Sequence, residues 1–274
     1  MKKRMGILLI LFSFITANAA TENFYQKNSV FKVGETAKFN LYFNWGFIWI
    51  HAGDIDFSVQ LKKRDGKPVY SLKVIGYTIK SFEKMYRIRD TFEVFVDTAR
   101  FLPLYYKETK HEDTYYACNQ YFYDRSKKDS TLVYMDFARK NRQWQDTAKI
   151  GNNVFDLITT CYKVRNLNIK KIKQNQTVPI PLLFDNKVYD LGLKYKGKEI
   201  IKLKNGSKYN AHKFIPQLIT GDLFKKEEDM IVYVSDDDNH VPLLIETKIK
   251  VGYIKAVLSE VKNTKTPMTS LISK

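Results

Sequence analysis

Cysteine and histidine are both scarce in this chain of 274 residues, with two of the first and four of the second. None of His51, His111, His212 and His240 has another His or a Cys at zinc spacing, so no metal and no other cofactor is expected. The nucleophile-elbow pattern G-x-S-x-G is missing, and no S-x-x-K falls in an expected helix. Neither the phosphate-cradling G-x-x-x-x-G-K-[ST] nor the dinucleotide-binding G-x-G-x-x-G occurs. Internal repeats, low-complexity tracts and linkers are lacking too, which excludes repeat arrays and disordered linker proteins. Beyond the first twenty residues, no apolar run is long enough to cross a bilayer as a helix. These absences point away from an enzyme with a legible catalytic motif.

The N-terminus has a pattern of its own. Lys2, Lys3 and Arg4 precede an apolar stretch from Ile7 to Ile15, and Ala17-Asn18-Ala19 sets small residues at the −3 and −1 positions of a signal-peptidase site. Charge, short apolar core and small-residue exit read as a secretory signal over 1–19. Its apolar core is about ten residues, where a spanning helix needs about twenty. The expected location is therefore the periplasm or the exterior, with no transmembrane segment after cleavage. Removal of 19 of the 274 residues leaves 255, within reach of one all-β domain.

Positive charge is in excess. The formal net charge of +17 falls to +14 once Lys2, Lys3 and Arg4 are removed. A polyanion such as an anionic lipid surface is one reading, and a solvated lysine-rich surface is the other. Nucleic acid is not an expected partner, given export and the lack of any recognition motif.

Aromatic residues make up 14% of the chain, with 18 Tyr and 18 Phe, which marks a globular protein. They alternate. Phe39, Leu41, Phe43 and Trp45 share one phase, and Ile55, Phe57, Val59 and Leu61 share another run. Period two is the signature of strands with one face buried. Asp65-Gly66 supplies a tight turn before Val69 to Ile79, so this pair reads as a hairpin. Further strands are expected over Tyr86 to Val96, Leu104 to Thr109, Tyr115 to Tyr123 and Thr131 to Phe137. Others follow over Lys187 to Lys194, Lys198 to Lys204, Tyr209 to Gln217, Met230 to Val234, Val241 to Lys248 and Lys250 to Val261.

One segment breaks period. In Asn153 to Arg165, Val154, Leu157, Ile158, Cys161 and Tyr162 recur at helical spacing, with Asn152 or Asn153 as the expected cap. Gln174 to Pro181, with two prolines, reads as a crossover. A soft division near 166–176 would separate two sheets or two halves of one curved sheet. The segment 263–274 is polar and expected to be a flexible tail. The fold class is thus all-β, mainly antiparallel: a large curved sheet or incomplete β-barrel with one packed α-helix, as a single domain over 20–262.

Candidate chemistry is thin. Cys118 and Cys161 are a candidate disulfide in an oxidising compartment, although Cys161 also suits a buried helix face as a free thiol. Asp236-Asp237-Asp238 lacks calcium-loop spacing and reads as a solvated hairpin turn. Asp54 and Asp56 share a strand face opposite in phase to the aromatics, so they should face water. Phe39, Phe43, Trp45, Trp49 and Phe57 are the candidate ligand-binding residues, since a curved sheet lined with aromatics can hold an apolar ligand. A filled core would use the same residues.

Several short features, taken in order, resemble one family. They are Val33-Gly34-Glu35, Ala52-Gly53, Tyr86-Arg87-Ile88-Arg89-Asp90, Leu102-Pro103-Leu104, the helix with Asp156, Leu157, Tyr162 and Arg165, Asn205-Gly206, Val232 to Asp237 with Val241-Pro242, and Gly252 to Ala256. Their order is similar to that of the exported domain-of-unknown-function family 3108 (DUF3108), across nearly all of the mature chain. Tyr233 stands where such proteins often carry Trp. More distantly, the strand, acidic turn and Pro of Val232 to Pro242 resemble the periplasmic lipoprotein carriers LolA and LolB. That likeness implies a half-open antiparallel barrel with an apolar cavity for acyl chains, though those carriers use several helices where one is expected here.

The expected function is an exported, non-enzymatic carrier or chaperone for a lipid or other amphiphilic envelope component. The alternatives are a structural or interaction module with an envelope protein partner, acting in cell-envelope or surface-polymer assembly, and an unrecognised hydrolase.

Overall fold

The computed structural model describes residues 30–45, 48–184, 186–218, 230–248 and 252–273. The expected signal segment lies outside these residues, and so does the side chain of Trp45.

Eight strands form a continuous antiparallel meander: β1 Thr36–Trp45, β2 Ile48–Arg64, β3 Lys67–Thr78, β4 Arg89–Asp97, β5 Pro103–Glu112, β6 Tyr115–Asp124, β7 Thr131–Arg139 and β8 Arg142–Ile150. A four-residue helix, α1 Lys80–Glu83, lies between β3 and β4. Helix α2, Leu157–Arg165, and a 3₁₀ turn, Ile169–Lys171, lead into the second half. That half holds β9 Thr177–Phe184, β10 Lys187–Lys202, β11 Lys208–Leu218, β12 Met230–Ser235, β13 Pro242–Lys248, β14 Tyr253–Lys262 and β15 Leu271–Ser273. The sheet order is β8-β7-β6-β5-β4-β3-β2-β1-β14-β13-β12-β11-β10-β9, and β15 adds to β11. β1 is the seam, pairing with β2 on one side and β14 on the other.

Local chemistry explains the turns. Arg64 pairs with Lys67 around Asp65 (φ 51°) and Gly66 (φ 74°), a two-residue hairpin in which both central residues need positive φ. The strands expected at Lys187 to Lys194 and Lys198 to Lys204 are one long strand, β10, with a bulge between Tyr195 and Gly197. Gly197 absorbs it at φ 107°.

Five sequence expectations need correction. β8 was not foreseen, because its pattern is mostly polar and exposed. The proline-containing crossover is strand β9, whose one partner strand among the described residues is β10, with a single bridge to Phe155 on its other side. An edge strand tolerates Pro179 and Pro181 because one row of its amides needs no partner. Asp156, rather than Asn152 or Asn153, caps α2 by accepting from the Thr159 amide at 2.8 Å. Asn152 instead bonds Thr131 and the Lys128 carbonyl.

The fourth concerns the chain after Lys262, which does not fray. β15 pairs with β11, and Ser270 is buried against Asp237. This same contact overturns the solvated acidic turn. Asp237 accepts from Ser235, the Asn239 amide and Ser270, and Asn239 is fully buried.

The sheet curls without closing. α2 sits on its concave side against β3, β4 and β9. Leu72, Val94, Val133 and Met135 from the meander meet Ile158 and Tyr162 from the helix. Phe155, just before α2, bridges to Leu182 of β9, so the chain between the halves spans part of the gap between edges β8 and β9. A second core, around Phe39, Leu243 and Leu258, fills the β1–β14–β13 side.

Candidate functional site

Period-two alternation points one face of each strand into the concavity. Near the end away from α2, that face lines a half-open apolar cavity of about 360 Å³. β1 contributes Leu41 and Phe43, β2 Ile55, β3 Val74 and Gly76, and β4 Phe92, while Phe82 of α1 stands at its rim. Two glycines make the space. A Cβ on Gly53 would sit 2.4 Å from the Tyr77 carbonyl oxygen, so Gly53 permits the close β2–β3 contact there. A Cβ on Gly76 would meet nothing within 4 Å, so that position is simply empty.

α1 is pinned in place. Arg89 pairs with Glu83 and donates to the carbonyls of Thr78 (2.9 Å) and Ile88 (2.7 Å). The polar groups of the cavity are few: Thr78, whose hydroxyl accepts from the Ile88 amide, and Asp90. Burial pushes the Asp90 carboxyl above its ordinary range, and a bond from the His111 amide at 3.1 Å partly offsets this.

A smaller cavity of about 100 Å³ continues the same face toward α2 and shares Ile55 with the first. Phe39, Phe57, Cys161 and Tyr162 line it. Phe39 and Phe57 make an edge contact with ring centroids 5.6 Å apart.

Of the five sequence-predicted binding residues, the side chain of Trp45 lies outside the described residues, and the other four do not share one site. Phe43 lines the main cavity, and Phe39 and Phe57 line its inner continuation. Trp49 lines a separate groove with Tyr42, Lys204 and Lys255, its ring beneath the Lys255 ammonium at 4.7 Å. Sequence reasoning missed Gly76, Phe82 and Ile88. A glycine on the inward phase of an otherwise apolar strand, Val74-Ile75-Gly76, was the available signal.

The candidate disulfide is not formed: Cys118 on β6 and Cys161 on α2 are free thiols. Asp54 and Asp56 are only partly exposed. Asp54 accepts from His51 at 2.7 Å, and the Tyr77 hydroxyl reaches Asp56 at 3.4 Å.

The remaining histidine chemistry is structural in form. His212 lies between the Tyr195 hydroxyl (2.9 Å) and Asp236 (2.8 Å), and burial lowers its pKa. Among the described residues no Ser or Cys hydrogen-bonds to a histidine, and no cluster of three metal-ligating side chains occurs. Ser81 and Lys84 do have S-x-x-K spacing at α1, contrary to expectation, but both are exposed.

Comparison with known proteins agrees with this architecture. A crystal structure described as a beta-barrel-like protein of domain of unknown function DUF1849, from Brucella abortus, superimposes with a TM-score of 0.55 at 8% identity. The match covers 85% of this chain and 99% of that one, and it speaks to the fold alone. No curated protein matches the sequence. The family model described as "Protein of unknown function (DUF3108)" matches residues 38–259, and the chain belongs to that family.

Proposed function

We propose that this chain is an exported, non-catalytic binding protein that carries an apolar or amphiphilic envelope component in the concavity of its open sheet. One observation carries the reading: an apolar cavity of about 360 Å³ lined by Phe43, Gly76 and Phe92, in a face that packing alone would have filled. This falls within the roughly 300–1,000 Å³ usual for small-molecule sites. Apolar surface left open to water forgoes roughly 25 cal/mol per Å² of burial, so an open apolar cavity of this size supports occupancy by something else. The signal-like segment at 1–19 supports export, and the surface lysines suit approach to anionic membranes.

Native mass spectrometry of the protein purified from the cell envelope, followed by solvent extraction, tests this. A retained mass released by solvent and identified as a lipid or amphiphile is expected, on a chain beginning at Ala20. A bare mass under gentle ionisation, with no amphiphile taken up on titration, would overturn the carrier reading.

A second reading draws on strand β8. It is a sheet edge without proline, exposed along most of its length, and able to accept a strand from a partner protein. A stoichiometric protein partner that protects β8 amides from exchange, with no lipid bound, would favour this reading.

A further inference from the structure

The apolar cavity has a polar neighbour on the same concave face. A cavity of about 180 Å³ lies one strand further along, lined by Glu108, Lys110, Asn119, Arg139 and Phe184 among others. The register fixes how the two meet. Phe92, a wall of the apolar cavity, is the cross-strand partner of Glu108, a wall of the polar one. Directly paired residues in an antiparallel sheet project to the same side. Asp90, two residues before Phe92, lines the apolar cavity and lies opposite Lys110 in the register set by Thr91–Thr109 and Ile88–Glu112.

The polar wall is a connected chain of groups. Glu108 is 3% exposed, pairs with Lys110, and accepts from the Asn119 side-chain amide at 2.9 Å. The Asn119 carbonyl oxygen accepts from Arg139 at 2.7 Å, and the Arg139 guanidinium lies 5.1 Å from the Trp144 ring. A buried carboxylate is costly unless fully compensated, and apolar side chains would fill the same volume more cheaply. A charged network retained beside an open cavity therefore fits a role in recognition.

The geometry points to a single bipartite site: the β1–β4 cavity takes the hydrocarbon of an amphiphile, and the Glu108–Lys110–Asn119–Arg139 wall receives its head group, which is net-neutral and both donates and accepts hydrogen bonds. The charge count carries the head-group class. Within the polar cavity Lys110 and Arg139 face Glu108, and Asp90 stands opposite Lys110 where the apolar cavity begins, so a bare anion or a bare cation meets repulsive as well as attractive partners. A zwitterionic or polyhydroxylated head finds partners for both its signs or both its hydrogen-bonding roles. Glu112, further along β5, lines neither cavity and accepts from the Tyr86 hydroxyl. This inference rests on the carrier reading and names the chemistry of its ligand.

The test is titration of the full mature chain with probes of one chain length: dodecylphosphocholine, dodecyl maltoside, dodecyl phosphate and dodecyltrimethylammonium. Each is followed by calorimetry below its micellar concentration. The zwitterionic and maltoside probes should bind about tenfold more tightly than the two charged ones, the scale of one charge-assisted hydrogen bond gained or lost. Arg139→Gln and Glu108→Gln should each erase that preference while leaving binding of the chain itself. Two variants are used so that one folding failure does not decide the result. Equal affinity for all four probes, or a preference unchanged in both variants, would overturn the head-group assignment while the carrier reading stands. Failure of every probe to bind would overturn both.

Discussion

Arg165, in the last turn of α2, grips Glu35, just before β1, through two bonds of 2.6 and 3.2 Å across 130 residues of sequence. The same guanidinium also donates to the carbonyls of Val30 and Asn239. Both partners are buried, at 6% and 2% exposure. One side chain thus ties the helix to the seam strand of the meander and to the β12–β13 turn of the second half. Removing one partner leaves the other charged in a dry interior, which costs about 3–5 kcal/mol. Arg165→Met and Glu35→Gln should each lower stability by that order in urea unfolding. The double variant should recover part of the loss, because no uncompensated charge remains. Additive losses would show that the ion pair is not the unit that matters.

Gly76→Leu should fill the main cavity at little cost. Gly76 has no positive-φ requirement, and a Cβ there meets open space. Stability should hold within about 1 kcal/mol or rise, since a strand glycine forfeits packing and β-propensity. Ligand uptake in a detergent or lipid titration should be lost. Gly53→Ala, two strand positions away on β2, should instead destabilise by driving a methyl against the Tyr77 carbonyl. A Gly76→Leu protein that still takes up amphiphile would place the site elsewhere.

The contrast between these positions shows what was legible in the sequence. Alternation from Phe39 to Trp45 and from Ile55 to Leu61, with Asp65-Gly66 as the turn, gave the strands and their inward faces. It could not say which inward residue meets a neighbour and which meets a void. Phe39 packs into a core at 4% exposure and borders only the small inner cavity, whereas Phe43, four residues on, lines the larger one. The difference is set by what the neighbouring strands bring opposite each ring, which the sequence of one strand does not contain. Strand β8 was hidden because edge exposure removes the apolar phase on which periodicity depends, and β9 because proline is read as a breaker before its edge position is known.

The buried Asp156 sets a pH dependence. Desolvation raises its carboxyl from 3.8 to about 6, despite bonds from the Thr159 amide and hydroxyl. Its folded pKa exceeds its unfolded one, so the folded state holds the proton more tightly. Its contribution to stability is therefore full below about pH 4 and is lost as pH rises to about 6, by up to roughly 3 kcal/mol. Burial lowers the pKa of His212 and His240, which works in the opposite sense: their stabilisation is lost as pH falls below their unfolded pKa. The informative quantity is the difference between wild type and Asp156→Asn, which keeps a capping side chain. The stability gap should change between pH 4 and 6 and be flat above pH 7. A gap independent of pH would show that Asp156 titrates normally.

The two thiols should differ in reactivity. Burial and the nearby Asp156 push Cys161 up to about 11, whereas Cys118 lines an open groove with Gln120 and Trp144. Both thiols are partly exposed, but the thiolate is the reacting form, so iodoacetamide at pH 8 should label Cys118 faster than Cys161. The intact mass should show no two-dalton deficit. Equal labelling rates in the native protein would show that the Cys161 thiol is not raised above that of Cys118.

The C-terminal segment should be integral to the fold, because it satisfies a buried amide. Asn239 is fully buried. Its side-chain oxygen accepts from the amide and hydroxyl of Thr266, both at 3.0 Å, and its Nδ2 donates to the Thr266 carbonyl at 2.9 Å. Ser270 closes the same knot by donating to Asp237 at 2.6 Å. Truncation after Lys262 strips these partners while Asn239 and Asp237 remain. Each buried polar group left unmade costs about 1–3 kcal/mol, so the loss should reach several kcal/mol. Asn239→Ala removes the same bonds from the other side and should be costly alone. Combining it with the truncation should cost less than the sum, since both delete one set of interactions. Strict additivity in urea melts would mean that the tail stabilises the fold through some other contact, and an unchanged midpoint on truncation would mean that it does not stabilise the fold at all.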